Sequence, residues 1–256
     1  MKNIDLKKKY DGIYKEGAYE NYYSFNQAPA ERLILDSMTS WLNLKVLDIG
    51  CGEGNLAAML SFSGTKEVDA IDFSQEAIDI ANKRIDIENV NFISADYKTI
   101  TKRYDVVVMN GVLEHFDNPW DDLEYISQNL LNDHGFIISA SPSFLNPRGY
   151  VWMTLALLFD VPMSLSDLHF LNPFDFEEFC NKHNYSLVIK SCDQDWGAGE
   201  RTIIDFNKRL RNALKDADMD NTKVDHLLKW LEKATPYFQI SDFSGATTVS
   251  KIGRKL

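Results

Sequence analysis

The run Val46-Leu47-Asp48-Ile49-Gly50-Cys51-Gly52-Glu53-Gly54-Asn55 constrains this chain more than any other stretch. A short apolar run ends, glycine recurs at every second position, and a helical pattern opens at Asn55. That order reads as strand, tight turn and helix. Glycine lets backbone come close to a ligand and adopt turn conformations that a side chain disfavours. Free N–H groups at the start of the helix favour an anionic or carboxylate-bearing ligand. Two other readings fail. A dinucleotide fingerprint needs a glycine where Asn55 stands, and a phosphate loop needs Gly-Lys-Ser/Thr after its glycines.

The turn sits in a regular alternation. Strands are expected at Lys45–Ile49, Glu67–Ile71, Val90–Ser94, Tyr104–Met109 and Phe136–Ala140. Helices are expected over 29–42, from Asn55, after the N-cap candidate Ser74, and after Asn118-Pro119. Gly135 is expected to turn the chain into the fifth strand. Strands alternating with helices predict a parallel, doubly wound sheet. Further strands are expected at Tyr185–Lys190 and Thr247–Ile252, with two helices over 201–234 inserted between them. That insertion would serve as a lid or a dimer surface.

Three acids fall at consecutive strand ends: Asp48, Asp72 and Asp96. Asp72 stands 18 residues after Gly54 and is placed to accept two ribose hydroxyls at the switch point of such a sheet. Phe73 beside it would pack on an adenine face, and Asp96, with Tyr97 next to it, would meet the adenine amino group.

Together, Val46–Asn55, Ala70–Ser74, Ser94–Asp96 and Tyr104–His115 resemble motifs I to IV of the class I S-adenosylmethionine (SAM)-dependent methyltransferases. The branch nearest in character contains the ubiquinone-biosynthesis O-methyltransferases, and the likeness covers roughly residues 29–192. It implies a Rossmann-like, seven-stranded, mostly parallel sheet with the last strand antiparallel and a helical insertion before it. It implies SAM as methyl donor, cradled by Gly50, Cys51, Gly52 and Gly54, with Asp48 meeting the ammonium group. Arg32 and Asn110 match positions that contact SAM in that branch. Arg32 would pair with the SAM carboxylate; otherwise it is an exposed helix charge. In some relatives a Glu three positions before Glu114 joins a Glu-His pair in holding a divalent metal. That position is Gly111 here, so no metal is expected.

An alcohol acceptor must lose a proton, and His115 and His169 are the candidate bases. His115 is alternatively a structural partner at the edge of the fourth strand. The 141–173 segment walls a substrate pocket or adds a core-packing helix. The expected reaction moves a methyl group to oxygen, or to nitrogen, of a small acceptor such as a sugar or nucleotide-sugar. A protein or RNA methyltransferase and a non-catalytic SAM-binding module are the alternatives.

The chain is expected to form one methyltransferase domain over 1–256. Its parts would be a lid and helix at 1–43, a SAM-binding core at 44–140, the pocket segment and the insertion. The first 28 residues carry Tyr10, Tyr14, Tyr19, Tyr22 and Tyr23, an arm packed on the core or a lid. A net charge of −11 argues against general nucleic-acid binding, which needs a basic face. No apolar run is long enough for a membrane span. Cys51, Cys180 and Cys192 have neither metal spacing nor an even number, which with no signal peptide suggests a reducing cytoplasm.

Overall fold

The computed structural model describes residues 28–161 and 167–254. The tyrosine-rich start, expected as an arm or a lid, lies outside them. Seven strands form one sheet: β1 (Lys45–Ile49), β2 (Glu67–Asp72), β3 (Val90–Ser94), β4 (Tyr104–Asn110), β5 (Leu131–Pro142), β6 (Tyr185–Cys192) and β7 (Thr247–Arg254). Their order is β3-β2-β1-β4-β5-β7-β6, and β7 runs antiparallel to both its neighbours. The Rossmann-like doubly wound sheet expected from the sequence is therefore present.

Helices cover both faces: α1 (Ala28–Asp36), α2 (Asn55–Phe62), α3 (Gln75–Arg84), α4 (Pro119–Asn129), α5 (Pro147–Phe159) and α6 (Pro173–His183). Before β7 come α7 (Gln194–Ala198), a helical stretch over 201–216 designated α8, and α9 (Val224–Ala234). The middle of α8, Phe206–Leu210, is a π turn. Among the described residues no helix is long and apolar enough to cross a membrane.

Burial on both faces explains the continuous apolar runs of the central strands. Val106, Val107, Val108 and Met109 of β4 are all fully buried. Side chains alternate along a strand. Leu47, Ile49, Val107 and Met109 join Leu123, Ile126 and Phe176 on one face. Val46, Val106 and Val108 join Ile34, Leu56 and Leu60 on the other. A third cluster lies outside the sheet, where Trp152 of α5 packs on Phe206 with ring centres 5.7 Å apart. Much of the 141–173 segment is thus a helix that builds a core with the insertion.

Two expectations are corrected. Helix α1 stops at Asp36 rather than 42. Ser37 Oγ donates to the Ile34 carbonyl (2.6 Å) and Trp41 Nε1 to that of Leu35 (2.9 Å). Side chains thus take the carbonyls that further helix would have used. Gly135 is no turn, because β5 already begins at Leu131. The pairing shifts between Tyr104↔Leu131 and Val106↔Phe136, and Gly135 sits in that irregularity. A Cβ there would stand 3.0 Å from the Asp105 carbonyl oxygen, so glycine suits a bulge where two backbones close on each other.

The register sets where a ligand can sit. Ile49 of β1 pairs with Ile71 of β2 and with Met109 of β4, so these strands end level. The strand order reverses between β1 and β4. That is the switch-point crevice at which open α/β sheets take ligands.

Candidate active site

The glycine turn lies over this crevice. Gly50, Gly52 and Gly54 all have positive φ, at 71°, 53° and 84°. Two of them also have no room for a side chain. A Cβ on Gly50 would stand 2.4 Å from Val112, and one on Gly54 2.5 Å from the Phe92 ring. The amides of Gly50 and Cys51 both donate to the Ile71 carbonyl (2.8 and 3.0 Å), which pins the turn to the end of β2. No side chain caps the N-terminus of α2 that follows.

Asp72 closes the turn from the other side. Its Oδ2 accepts the Gly52 N–H at 3.0 Å and its Oδ1 accepts the Ser74 N–H at 2.9 Å. Ser74 in turn caps α3, as its position before the helical stripe suggested. Phe73 is half-buried beside Asp72, and Asn110 is half-buried at the end of β4.

Asp48 is buried beneath the turn. Burial, together with the charges of Asp72 and Glu31, pushes its carboxyl up to about 8. Its Oδ2 has no hydrogen-bond partner. Burial raises Glu31 as well, and the Cys51 thiol is pushed far up by burial and by Asp48 and Asp72. The charges that reach Asp48 among the described residues are thus all negative. Such a group has a place for a cation, and a ligand ammonium would satisfy both its charge and its orphaned oxygen.

The remaining expected cofactor residues are Arg32, Asp96 and Tyr97. Arg32 is exposed, and the residue of α1 that reaches Asp48 is its neighbour Glu31. Asp96 is exposed and spends Oδ1 on the Lys98 N–H (2.9 Å), capping the short 3-10 turn Tyr97–Thr99. Tyr97 is buried. Its hydroxyl donates to Asp122 at 2.6 Å and its ring stacks on Phe116 at 5.1 Å.

After β4, Gly111 (φ 71°) turns the chain into a 3-10 turn, Leu113–His115. Val112, the residue that fills the space above Gly50, joins this turn to the glycine loop. Glu114 is buried, and its Oε2 accepts from Ser141 Oγ at 3.2 Å. Its main-chain carbonyl accepts the N–H groups of Leu168 and His169 (2.9 and 3.2 Å). These bonds carry the 167–169 stretch to the end of β4. His115 Nδ1 lies 3.5 Å from Asp167 Oδ1. His169 Nε2 is buried and has no hydrogen-bond partner. Burial pushes Glu114 up to about 7; the His115 charge opposes this and Asp167 adds to it.

The structure therefore brings Asp48, Asp72 and the glycines together at the ends of β1 and β2. At the end of β4 it brings the 167–169 stretch, which bears His169, onto Glu114, with Asp167 against His115. Sequence reasoning missed Glu31, Ser141 and Asp167 as members of the site. Asp167 stood in the quoted run Asp167-Leu168-His169-Phe170, but nothing local shows that its neighbour is His115.

Residues 46–132 match the family model of a methyltransferase domain. A ubiquinone biosynthesis O-methyltransferase of Glaesserella parasuis is 24% identical over 198 residues, covering 73% of this chain and 79% of that protein. A methyltransferase in complex with the Trm112 activator of Haloferax volcanii superposes with a TM-score of 0.62 at 15% identity, covering 96% and 97% of the two chains. A plantazolicin methyltransferase in complex with S-adenosylhomocysteine (SAH) superposes with a TM-score of 0.57 at 19% identity, covering 99% and 97%. With the motif set, the sheet order and these matches together, the chain is a class I SAM-dependent methyltransferase that uses SAM as its methyl donor.

Proposed function

We propose that the enzyme methylates a hydroxyl oxygen of a small, uncharged acceptor, with sugars as the favoured class, and that nitrogen is the second choice. The observation that carries this reading is the polar group at the end of β4, where buried Glu114 meets half-buried His115, Asp167 and His169 beside Val112, which packs over Gly50. Its carboxylates favour a neutral hydroxyl over a phosphate, so a nucleotide-sugar fits less well than a free sugar.

In this reading the backbone of Gly50, Cys51, Gly52 and Gly54 closes on the amino-acid end of SAM, and Asp48 meets its ammonium. Asp72 takes the ribose hydroxyls, Phe73 and Asp96 flank the adenine, and Asn110 lies against the cofactor from β4. The exposure of Arg32 and the packing of Tyr97 support leaving those two residues out. The acceptor oxygen attacks the methyl carbon, and the carbon–sulfur pair returns to sulfur to leave SAH. The acceptor proton passes to a base. Aligning the oxygen with the methyl group is the larger part of the catalysis. His169 is favoured as base because its Nε2 is buried with no competing partner, whereas His115 faces Asp167.

A macromolecular acceptor is the second reading. Tyr150, Leu157, Leu158 and Phe159 of α5 are exposed apolar residues that would suit a protein partner. The Haloferax volcanii relative is found with an activator protein. The net charge of −11 disfavours RNA. Transfer of labelled methyl groups to a cell extract, followed by separation by size, tests both. Label in the small fraction supports the proposal, and label only in the large fraction overturns it.

A further inference from the structure

We infer that Arg84, at the end of α3, is a positioning residue for the cofactor: it holds the Glu53 carboxylate off the N–H groups that would take the carboxylate of SAM. Glu53 stands between Gly52 and Gly54 in the glycine turn. Its Oε2 forms an ion pair with Arg84 Nη1, and its Oε1 is buried with no hydrogen-bond partner. Arg84 Nη2 donates to Asn55 Oδ1 at 3.4 Å, and Asn55 is the first residue of α2. One guanidinium thus engages the acceptor side chains on either side of Gly54.

Both acceptors stand where they could compete with a ligand. The first N–H groups of a helix have no partner within it. Acidic and amide side chains at a helix start readily take them. Here no side chain caps α2, so those groups stay open. A loose carboxylate beside them would also repel an anionic ligand. Packing fixes the point from which Arg84 reaches. A Cβ on Gly54 would stand 2.9 Å from Cδ1 of Ile85, the residue that ends α3. The start of α3 is set by Asp72, whose carboxylate takes the N–H groups of Gly52 and Ser74. Both ends of α3 are therefore tied to the glycine turn. The Arg84 side chain is 46% exposed, and such ion pairs add little to stability. Its charge also suits the C-terminal end of α3. Ligand affinity, not stability, is what separates the positioning role from a helix-end charge.

The inference rests on the reading that the glycine turn closes on the amino-acid end of SAM, and it adds what keeps that place open to an anion. The test is calorimetric titration of the full chain with SAH and, in parallel, with methylthioadenosine, which keeps the nucleoside and lacks the amino-acid end. Arg84→Ala should bind SAH roughly three- to fivefold more weakly, the upper range for a half-exposed ion pair. Arg84→Lys keeps the charge and should bind as the parent does. Arg84→Ala combined with Glu53→Ala should recover the parent's affinity, because the competing carboxylate is gone. Methylthioadenosine should bind equally to the parent and to every variant. Unchanged SAH affinity in Arg84→Ala, or no recovery in the double variant, overturns the inference. So does an equal loss for methylthioadenosine, which would mark a loosened fold. A parent that binds no SAH would overturn the cofactor reading itself, and this inference with it.

Discussion

Asp72 Oδ2 accepts the Gly52 N–H at 3.0 Å, so one carboxylate at the end of β2 holds the tip of the glycine turn that follows β1. The same carboxylate takes the Ser74 N–H at 2.9 Å and so starts α3. The residue proposed to meet the ribose is therefore also the one that shapes the loop for the amino-acid end.

Asp72→Ala should lose both functions. A hydrogen bond to a charged group contributes about 1.5–3 kcal/mol, so SAH affinity should fall by roughly 10- to 150-fold. Equilibrium dialysis of SAH against the variant checks this. A change within twofold would remove Asp72 from the cofactor site.

Gly50→Ala combines two faults, a positive φ of 71° and a Cβ 2.4 Å from Val112. The conformational part alone costs about 1–2 kcal/mol. Adding Val112→Ala should restore the part due to the clash and leave the part due to φ. A double-mutant cycle on urea unfolding reads the coupling. Strictly additive effects would show that the two residues do not compete for this space.

Stability of the ligand-free enzyme should fall as pH rises from about 5 to 8. The unfolded chain ionises Asp48 at about pH 4, whereas the folded chain holds the proton to about pH 8 because of burial, Asp72 and Glu31. The folded state thus binds more protons across this window, and raising the pH works against it. Glu114, pushed up to about 7, slopes the same way. Asp48→Asn should flatten the profile and keep Glu114's share. Thermal melts over that range measure it, and a variant profile as steep as the parent's would contradict the account.

His169→Ala should slow methyl transfer by roughly 10²- to 10⁴-fold, the usual contribution of a positioned base, with SAH binding unchanged. His115→Ala tests the second candidate in the same assay. Full activity in both would remove the base assignments and leave positioning of the acceptor as the mechanism.

The strand, glycine turn and helix around Gly50–Gly54 could be read from sequence because their determinants are local. Lys45–Ile49 and Val90–Ser94 are bounded as expected, since turn residues end both apolar runs. The positive φ of Gly50 and Gly54 is what their spacing demanded. What the sequence did not show comes from long-range packing. Whether Glu31 or Arg32 faces Asp48 depends on how α1 is rotated against the sheet, and a short amphipathic stripe does not fix that angle. That the ring and hydroxyl of Tyr97 meet Phe116 and Asp122, from later in the chain, has no mark beside Asp96 in the sequence. Gly135 read as a turn because the bulge against Asp105 leaves no mark in the sequence other than the glycine. The meeting of Asp167 with His115 depends on where a connection folds back, which periodicity does not encode.

The central claim is that the crevice over β1, β2 and β4 binds the cofactor through the glycine turn and the acids around it. Calorimetric titration of SAH into the full chain tests it most directly. The account predicts saturable binding with one site per chain, accompanied by proton release at pH 7 as Asp48 ionises against the ligand ammonium and by loss of that release in Asp48→Asn. The absence of any binding heat in several buffers, together with no thermal shift, would contradict it.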